Sequence, residues 1–476
     1  MTGPMTPYDL VAYPTTSFRQ THPARLGAHG ALFGMAVAPP ARCRVLDIGG
    51  GDGANIIPLA LIHPDSEFVS FDLSVEAVRR GQEVVDALCL KNVRLIAADL
   101  LQLDLGDEPF DYMIAHGFYS WTPEPVRDGM MALIRRRLAP QGVGFVSYNA
   151  RPGADTRQTV RGILRFYVDG IPDPVARVAE ARRILQEMVD TYPETDPYQV
   201  MLKHQCRALL GRPPQVLLHD ELGEVYYPAH LHEFVAHAEG HGLQFLTEAD
   251  PGRCGEGFRP PYALDDAGFD VMRHAQELDF QAMRPFRQTL VVHGEVPLDR
   301  RPAPERLAGM FVSCGAARLD GDTFEGPGGR FKVDDERLAG GMAKLAAAWP
   351  RSLPVAELVD DDERRMALLR MYWADLLELA PAPSAFQVEV SERPAASPLA
   401  RLQISRGETR LITLRGTVVT LDDPVSRFFV SLLDGSRTHD EIAEAMAGQV
   451  GEPLDAVRAA LPDQLKALAR MPLLIS

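Results

Sequence analysis

The residues whose types and spacing could do chemistry lie first between positions 47 and 100. Asp47 closes a short apolar run, Arg44 to Ile48, that reads as a buried parallel strand. Gly49, Gly51 and Gly53 follow in alternation, and an amphipathic helix begins near Ala54. Glycine suits a chain that must turn sharply and let a ligand approach its backbone. The helix start then offers unpaired N–H groups. A dinucleotide site wants its third glycine one residue later, facing a pyrophosphate. Here the loop is flanked by Asp47 and Asp52, which repel a pyrophosphate and suit a ligand carrying an amine. A second strand, Phe68 to Phe71, ends at Asp72, where an acid can take both hydroxyls of a ribose. A third, Val93 to Ala97, leads to Asp99 and Leu100, which can hold an adenine by its amino group and its face.

The elements that must position these residues are five strand–helix units over residues 44–149. The fourth strand, Tyr112 to Ala115, runs into His116-Gly-Phe-Tyr-Ser-Trp-Thr-Pro123. The fifth, Val143 to Tyr148, ends at Asn149. Ligands bind at the carboxyl edge of such a sheet, so His116, Tyr119 and Trp121 are expected to face the same crevice, with Tyr148 or Asn149 as further candidates. His116 or a tyrosine could relay a proton, and aromatic walls could hold a cationic substrate. Residues 1–43 are too rich in aromatic residues for a disordered tail. They read as a lid that brings Tyr13 and His22 near the reacting centre, or as an arm covering a sheet edge.

Residues 150–215 read as a helical insertion that could cap the site or carry a dimer contact. The core pattern resumes near 216, with a helix over 228–242, a strand Leu243 to Thr247 and a last strand Arg287 to His293. Within that helix His232 and His237 diverge by about 140°, whereas His237 and His241 share a face. With no third ligand nearby in sequence, no metal site is expected. A Pro- and Arg-rich linker opens a middle unit, residues 298–390. Strands are expected there over 307–313 and 323–333, and helices near 336–349 and 360–378. Residues 391–476 form a last small unit with a strand over 417–421, a helix over 424–433, a capping box at Thr438 and Glu441, and a helix over 454–471.

The run Asp47-Ile-Gly-Gly-Gly-Asp-Gly53, with Asp72-Leu73-Ser74 and Asp99-Leu100, resembles the class I S-adenosylmethionine-dependent methyltransferases. The resemblance implies a seven-stranded Rossmann-like α/β fold. It implies that the loop Gly49, Gly51 and Gly53 beside Asp47 cradles the methionine part of the cofactor. It also implies that Asp72 and Leu73 bind the ribose side, that Asp99 and Leu100 frame the adenine, and that His116 lines the cofactor. Gly50, where that superfamily often has Cys or Ala, is expected to be without consequence. Tyr13-Pro, Thr21-His-Pro, Ala115 to Pro123, Val146 to Asn149 and Tyr227 to Phe234 are together similar to one bacterial group. Its members carry a "methyltransferase regulatory domain" and include rickettsial protein lysine methyltransferases. The resemblance covers roughly residues 8–300 and implies a protein or peptide substrate modified at lysine. The last unit is similar to small winged-helix peptide-binding modules.

The whole chain sets limits on this reading. Its 476 residues are too many for one ordinary domain. Lys and Arg number 49 against 65 Asp and Glu, a net charge of −16 without a basic run, which excludes non-specific nucleic-acid binding. Five scattered cysteines, at 43, 89, 206, 254 and 314, without a C-x-x-C pair, fit a reducing compartment. No apolar run approaches about 18 residues, so a cytoplasmic protein without membrane contact is expected, with a homodimer allowed. The alternatives to a protein-modifying enzyme are a small-molecule or peptide O- or N-methyltransferase, and a non-catalytic protein that senses the cofactor.

Overall fold

The computed structural model describes residues 7–250, 271–301, 303–326, 329–386 and 389–475. Its centre is a seven-stranded sheet in the order β3-β2-β1-β4-β5-β7-β6. The strands are β1 (Arg44–Ile48), β2 (Glu67–Asp72), β3 (Val93–Ala97), β4 (Phe110–Ala115), β5 (Leu138–Asn149), β6 (Leu243–Glu248) and β7 (Phe286–His293). The first five pair in parallel, with Asp47 beside Ser70 on one side and Ile114 on the other. β7 runs antiparallel to both β5 and β6. Strands buried on both faces explain the unbroken apolar runs.

An N-terminal arm precedes the sheet, with α1 (Pro7–Leu10) and α2 (Pro23–Leu32). Helices α3 (Ile57–Ile62), α4 (Val75–Ala87) and α5 (Glu124–Arg137) link the first strands. The insertion holds α6 (Ala154–Val168), α7 (Pro174–Thr191) and α8 (Pro197–Leu210) around a core of its own, including Leu164, Leu185 and Cys206. The turn α9 (Pro214–Val216) leads into a π-helical turn, Leu217–Glu221. Helices α10 (Leu231–Gly240) and α11 (Val271–Ala282) complete the domain. The first half of the segment between β6 and β7, residues 251–270 with Cys254, lies outside the described residues. Under β7, the buried Asp279 pairs with Arg287 and Arg284, and Arg287 reaches Glu248. These buried charges are matched by opposite charges, which such burial requires.

In the middle unit β8 (Phe311–Ser313) is shorter than the sequence predicts, because Pro304–Gly309 winds into a 3-10 helix. β9 (Ala317–Asp320), β10 (Thr323–Gly326) and β11 (Gly329–Lys332) form a meander followed by α12 (Glu336–Ala348). β12 (Leu353–Pro354) precedes α13 (Asp362–Trp373). That helix stops early: Asp375 takes a left-handed conformation (φ 55°), and β13 (Glu378–Ala380) pairs with β8 instead. The last unit contains α14 (Pro398–Ser405), β14 (Arg410–Ile412), β15 (Val418–Thr420), α15 (Pro424–Leu432), α16 (His439–Val450) and α17 (Leu454–Arg470). The capping box of Thr438 and Glu441 is formed.

The middle unit, the last unit and the arm meet at Glu378. Its carboxylate pairs with Arg415 of the last unit and with Arg19 of the arm. Arg25 of α2 also bears on it electrostatically. Burial alone would push this carboxyl up, but the guanidiniums of Arg415, Arg19 and Arg25 outweigh it and hold it at about 2, against an ordinary 4.5. A lowered carboxyl pKa stabilises the folded state above pH 4.5, and this contribution is lost as the pH falls toward 2. A quarter of the side chain, 24%, meets solvent, so roughly 1–2 kcal/mol is expected. Glu378→Gln should therefore be less stable than wild type by that amount at pH 7. The gap should close between pH 4.5 and about 2 in urea titrations.

Candidate active site

The crevice at the carboxyl edge is built on a tie between two loops. Asp72 ends β2, and its carboxylate accepts the Gly51 N–H at 2.9 Å and the Ser74 N–H at 2.8 Å. Gly51 (φ 59°) and Gly49 (φ 69°) are left-handed, a conformation that favours glycine. A side chain at Gly49 would also meet the Phe118 ring, whose Cδ2 lies 2.5 Å from an added Cβ. Burial pushes the Asp72 carboxyl up, and the nearby acids Asp9 and Asp52 push it further. Asp47, at the end of β1, is pushed up to about 7 by burial, with Asn55 donating to it at 3.4 Å.

The arm lies across this edge. Asp9 accepts from the Ser74 hydroxyl at 2.6 Å and the Glu76 N–H at 3.1 Å, latching the arm onto the start of α4. Thr15 donates to Asp52 at 2.8 Å, and the Phe18 N–H donates to Asn55 at 3.0 Å. Tyr8 stacks on His219 (centroids 4.3 Å apart), with Tyr13 tilted against both. His219 also contacts the Val11 carbonyl at 2.7 Å. Tyr13 thus belongs to the arm, where burial and Asp220 raise its hydroxyl pKa.

His116 stands at the end of β4 with the Phe18 ring edge-on at 3.9 Å and Phe145 and Phe286 around it. The Ser147 hydroxyl oxygen accepts the Gly117 N–H at 2.8 Å and lies 2.6 Å from His116 Nδ1. That leaves the hydroxyl proton for Nδ1 and makes Nε2–H the favoured tautomer. Desolvation pushes His116 down to about 4, so it is neutral at pH 7. Leu73 is exposed beside Asp72. Asp99 caps a short 3-10 turn by accepting the Leu101 N–H at 3.0 Å, and Leu100 packs toward the sheet's core.

Three sequence expectations are corrected here. His22 caps α2, accepting the Ala24 N–H at 3.0 Å, and packs beside His63 and Pro40 at the amino edge of the sheet, away from the crevice. Tyr119 is buried in the core between α5 and α10. Its ring meets Phe234 and Tyr148, and its hydroxyl is engaged by His237 at 3.0 Å. Trp121 packs against Tyr226, under the guanidiniums of Arg157 and Arg161, and so anchors the insertion. The other two candidates also turn away: Tyr148 stacks on Phe234, and Asn149 accepts from Arg157. Asp9, Phe18, Asn55, Phe118 and Ser147 are the crevice residues that sequence reasoning missed. Asp9 and Phe18 carried a signal, since they lie in the aromatic-rich arm.

Behind the loop, Leu399 and Ile412 of the last unit pack on Ile57 of α3 and Val85 of α4. Beside them a cavity of about 310 Å³ is lined by Thr15, Asp52, Arg80, Arg406 and Glu408 among others. The crevice fits S-adenosylmethionine by its donor set. Of its glycines Gly51 leaves room for close approach, with Thr15 Cγ2 3.7 Å from an added Cβ. Asp72 offers a carboxylate to ribose hydroxyls, and the surrounding acids suit a ligand with an ammonium and a sulfonium.

Three segments of the chain match known protein families. Residues 45–142 match a methyltransferase domain, residues 213–293 a predicted methyltransferase regulatory domain, and residues 392–468 a PKMT C-terminal winged helix domain. The chain is 31% identical over 240 residues to the uncharacterized protein RP028 of Rickettsia prowazekii, covering 50% of this chain and 96% of that one. It is 31% identical over 297 residues to RP789 of the same organism, spanning 62% of this chain but 54% of that relative. In fold it matches PKMT2 from Rickettsia typhi with a TM-score of 0.85 at 21% identity, over 98% of this chain and 100% of that one. The same protein in complex with AdoHcy matches at 0.83. The chain belongs to the class I S-adenosylmethionine-dependent methyltransferases that carry the methyltransferase regulatory domain.

Gly50 also departs from expectation. An added Cβ would lie 2.3 Å from Ser70 Oγ and 2.7 Å from Asp47 Oδ2, because those side chains already fill the space. Gly50→Ala should lower stability by about 1–3 kcal/mol in thermal or chemical unfolding. Adding Ser70→Ala should recover part of the loss.

Proposed function

We propose that this protein transfers the methyl group of S-adenosylmethionine to a side chain of a protein or peptide, with lysine the acceptor. The observation that carries the macromolecular substrate is the placement of the last unit. It packs directly behind the cofactor loop and lines the cavity beside Asp52. A small-molecule enzyme rarely has use for such a module at its site. The name of the Rickettsia typhi protein, PKMT2, and that of the matching winged-helix domain support the same reading. Four described cysteines are free, which suits a cytoplasmic setting. Among the described residues no helix is long and apolar enough to cross a membrane.

In this reading Asp72 holds the ribose hydroxyls, with Leu73 beside it. The backbone of Gly49, Gly51 and Gly53 receives the methionine part near Asp47, and Asp99 and Leu100 frame the adenine. The cofactor supplies an electrophilic methyl on a sulfonium. The chain's contribution is alignment, since displacement needs the two reacting atoms in line. Phe18, Phe118 and His116 wall the crevice and exclude water. Asp9 and Tyr13 belong to the arm that closes it.

Neither titratable candidate suits the role of base. His116 is pushed down to about 4 by desolvation, and burial raises the Tyr119 hydroxyl pKa. A lysine amine, with an ordinary pKa of about 10.4, therefore reacts as the neutral fraction delivered from solvent. That fraction grows about tenfold per pH unit below its pKa. The rate at limiting substrate should accordingly rise by that factor per unit between pH 7 and 9. A plateau beginning near pH 6 would place an imidazole base in the reaction.

The direct test incubates labelled S-adenosylmethionine with source-cell lysate and the enzyme, then separates protein, peptide and small-molecule fractions. Label released from protein as methyl-lysine is the expected result. Label confined to small molecules would overturn the reading.

A further inference from the structure

We propose that Asp128, His237 and His241 form a binding site for a divalent transition-metal ion, zinc being the best match. The site lies on the face where α5 meets α10, apart from the cofactor crevice. His237 lies in the last turn of α10 and His241 caps its C-terminus four residues on, which brings the two rings side by side. Their centroids are 5.3 Å apart. Asp128 of α5 supplies the third group: its Oδ1 is 2.8 Å from His241 Nε2 and 3.6 Å from His237 Nε2. One potential ligand atom from each residue lies within 4.8 Å of the others. Small side-chain rotations would bring them to the roughly 2.0–2.2 Å that zinc wants from nitrogen and carboxylate oxygen. Two imidazoles and a carboxylate, without a thiolate, suit zinc with a fourth position open to solvent.

The second observation is the state of the remaining imidazole nitrogen. His237 Nδ1 faces the Tyr119 hydroxyl at 3.0 Å. Tyr119 itself is fixed by Phe234 and Tyr148. A ligating histidine usually has its other ring nitrogen held by such a partner, which sets ring orientation and tautomer. The imidazoles are 26% and 20% exposed, so an ion can reach Nε2 from solvent without opening the core. The neighbouring cation, Arg127, is held away over the Tyr227 ring at 3.9 Å. Binding here would clamp α5 to α10. Through Tyr119 it would steady the loop that begins at His116. The groups come from positions 128, 237 and 241, which explains why the histidine spacing alone predicts no site.

The test is zinc titration of the untagged, metal-free full chain against a chromophoric chelator, with thermal unfolding followed in parallel. Wild type should take up one zinc per chain and unfold at higher temperature with it. His241→Ala and Asp128→Asn should weaken binding by at least about tenfold, and Tyr119→Phe, a positioning change, by about tenfold. Should His241→Ala fold poorly, as judged by circular dichroism, His241→Gln serves as the second variant at this partly exposed position. Absence of stoichiometric uptake by wild type, or equal affinity in the folded variants, would overturn the proposal.

Discussion

A single carboxylate held by two backbone amides organises the functional end of this molecule. Asp72 accepts from Gly51 in the turn after β1 and from Ser74 in the turn after β2. Two loops that would otherwise be independent are thereby fixed to one another. The left-handed glycines exist to let the Gly51 N–H point at that acid. The arrangement has an electrostatic cost, since Asp9 and Asp52 crowd the same carboxylate and raise its pKa together with burial. Crowding among these acids disfavours their charged forms, a cost that a positively charged ligand would offset.

The N-terminal arm lies against those two loops. The arm is latched at Asp9 and Thr15. Its aromatic residues then lean on His219, in the π-helical turn of the regulatory segment. Further along, Arg19 and Arg25 enter the cluster around Glu378, which also takes Arg415 from the last unit. One continuous segment of roughly 20 residues therefore touches both the glycine loop and the C-terminal units. In the proposed reaction the crevice contributes alignment and exclusion of water, since desolvation leaves His116 too weakly basic to take a proton near neutral pH.

Much of this was legible in the sequence. Apolar runs located the strands, and Asp47, Gly53, Asp72 and Asp99 lie at or just beyond the ends of the first three. Side-chain direction was not legible. Tyr119 and Trp121 do follow a strand at the carboxyl edge, as their positions require. Yet one turns into the core toward Phe234 and the other toward Tyr226. His22 was misplaced because an arm can cross a sheet edge in either direction. Gly50 looked neutral because Ser70, which fills its space, lies on the neighbouring strand. The helix over 362–373 seemed longer because its apolar period continues to Leu379. A left-handed Asp375 and pairing with β8 override that period.

The central claim is that the arm and the glycine loop form one cofactor site. Hydrogen exchange of the full chain, with and without S-adenosylmethionine, tests it most directly. The account predicts that residues 8–18 become protected together with residues 49–53 and 72–76. Protection of the two loops with no change in the arm would contradict it.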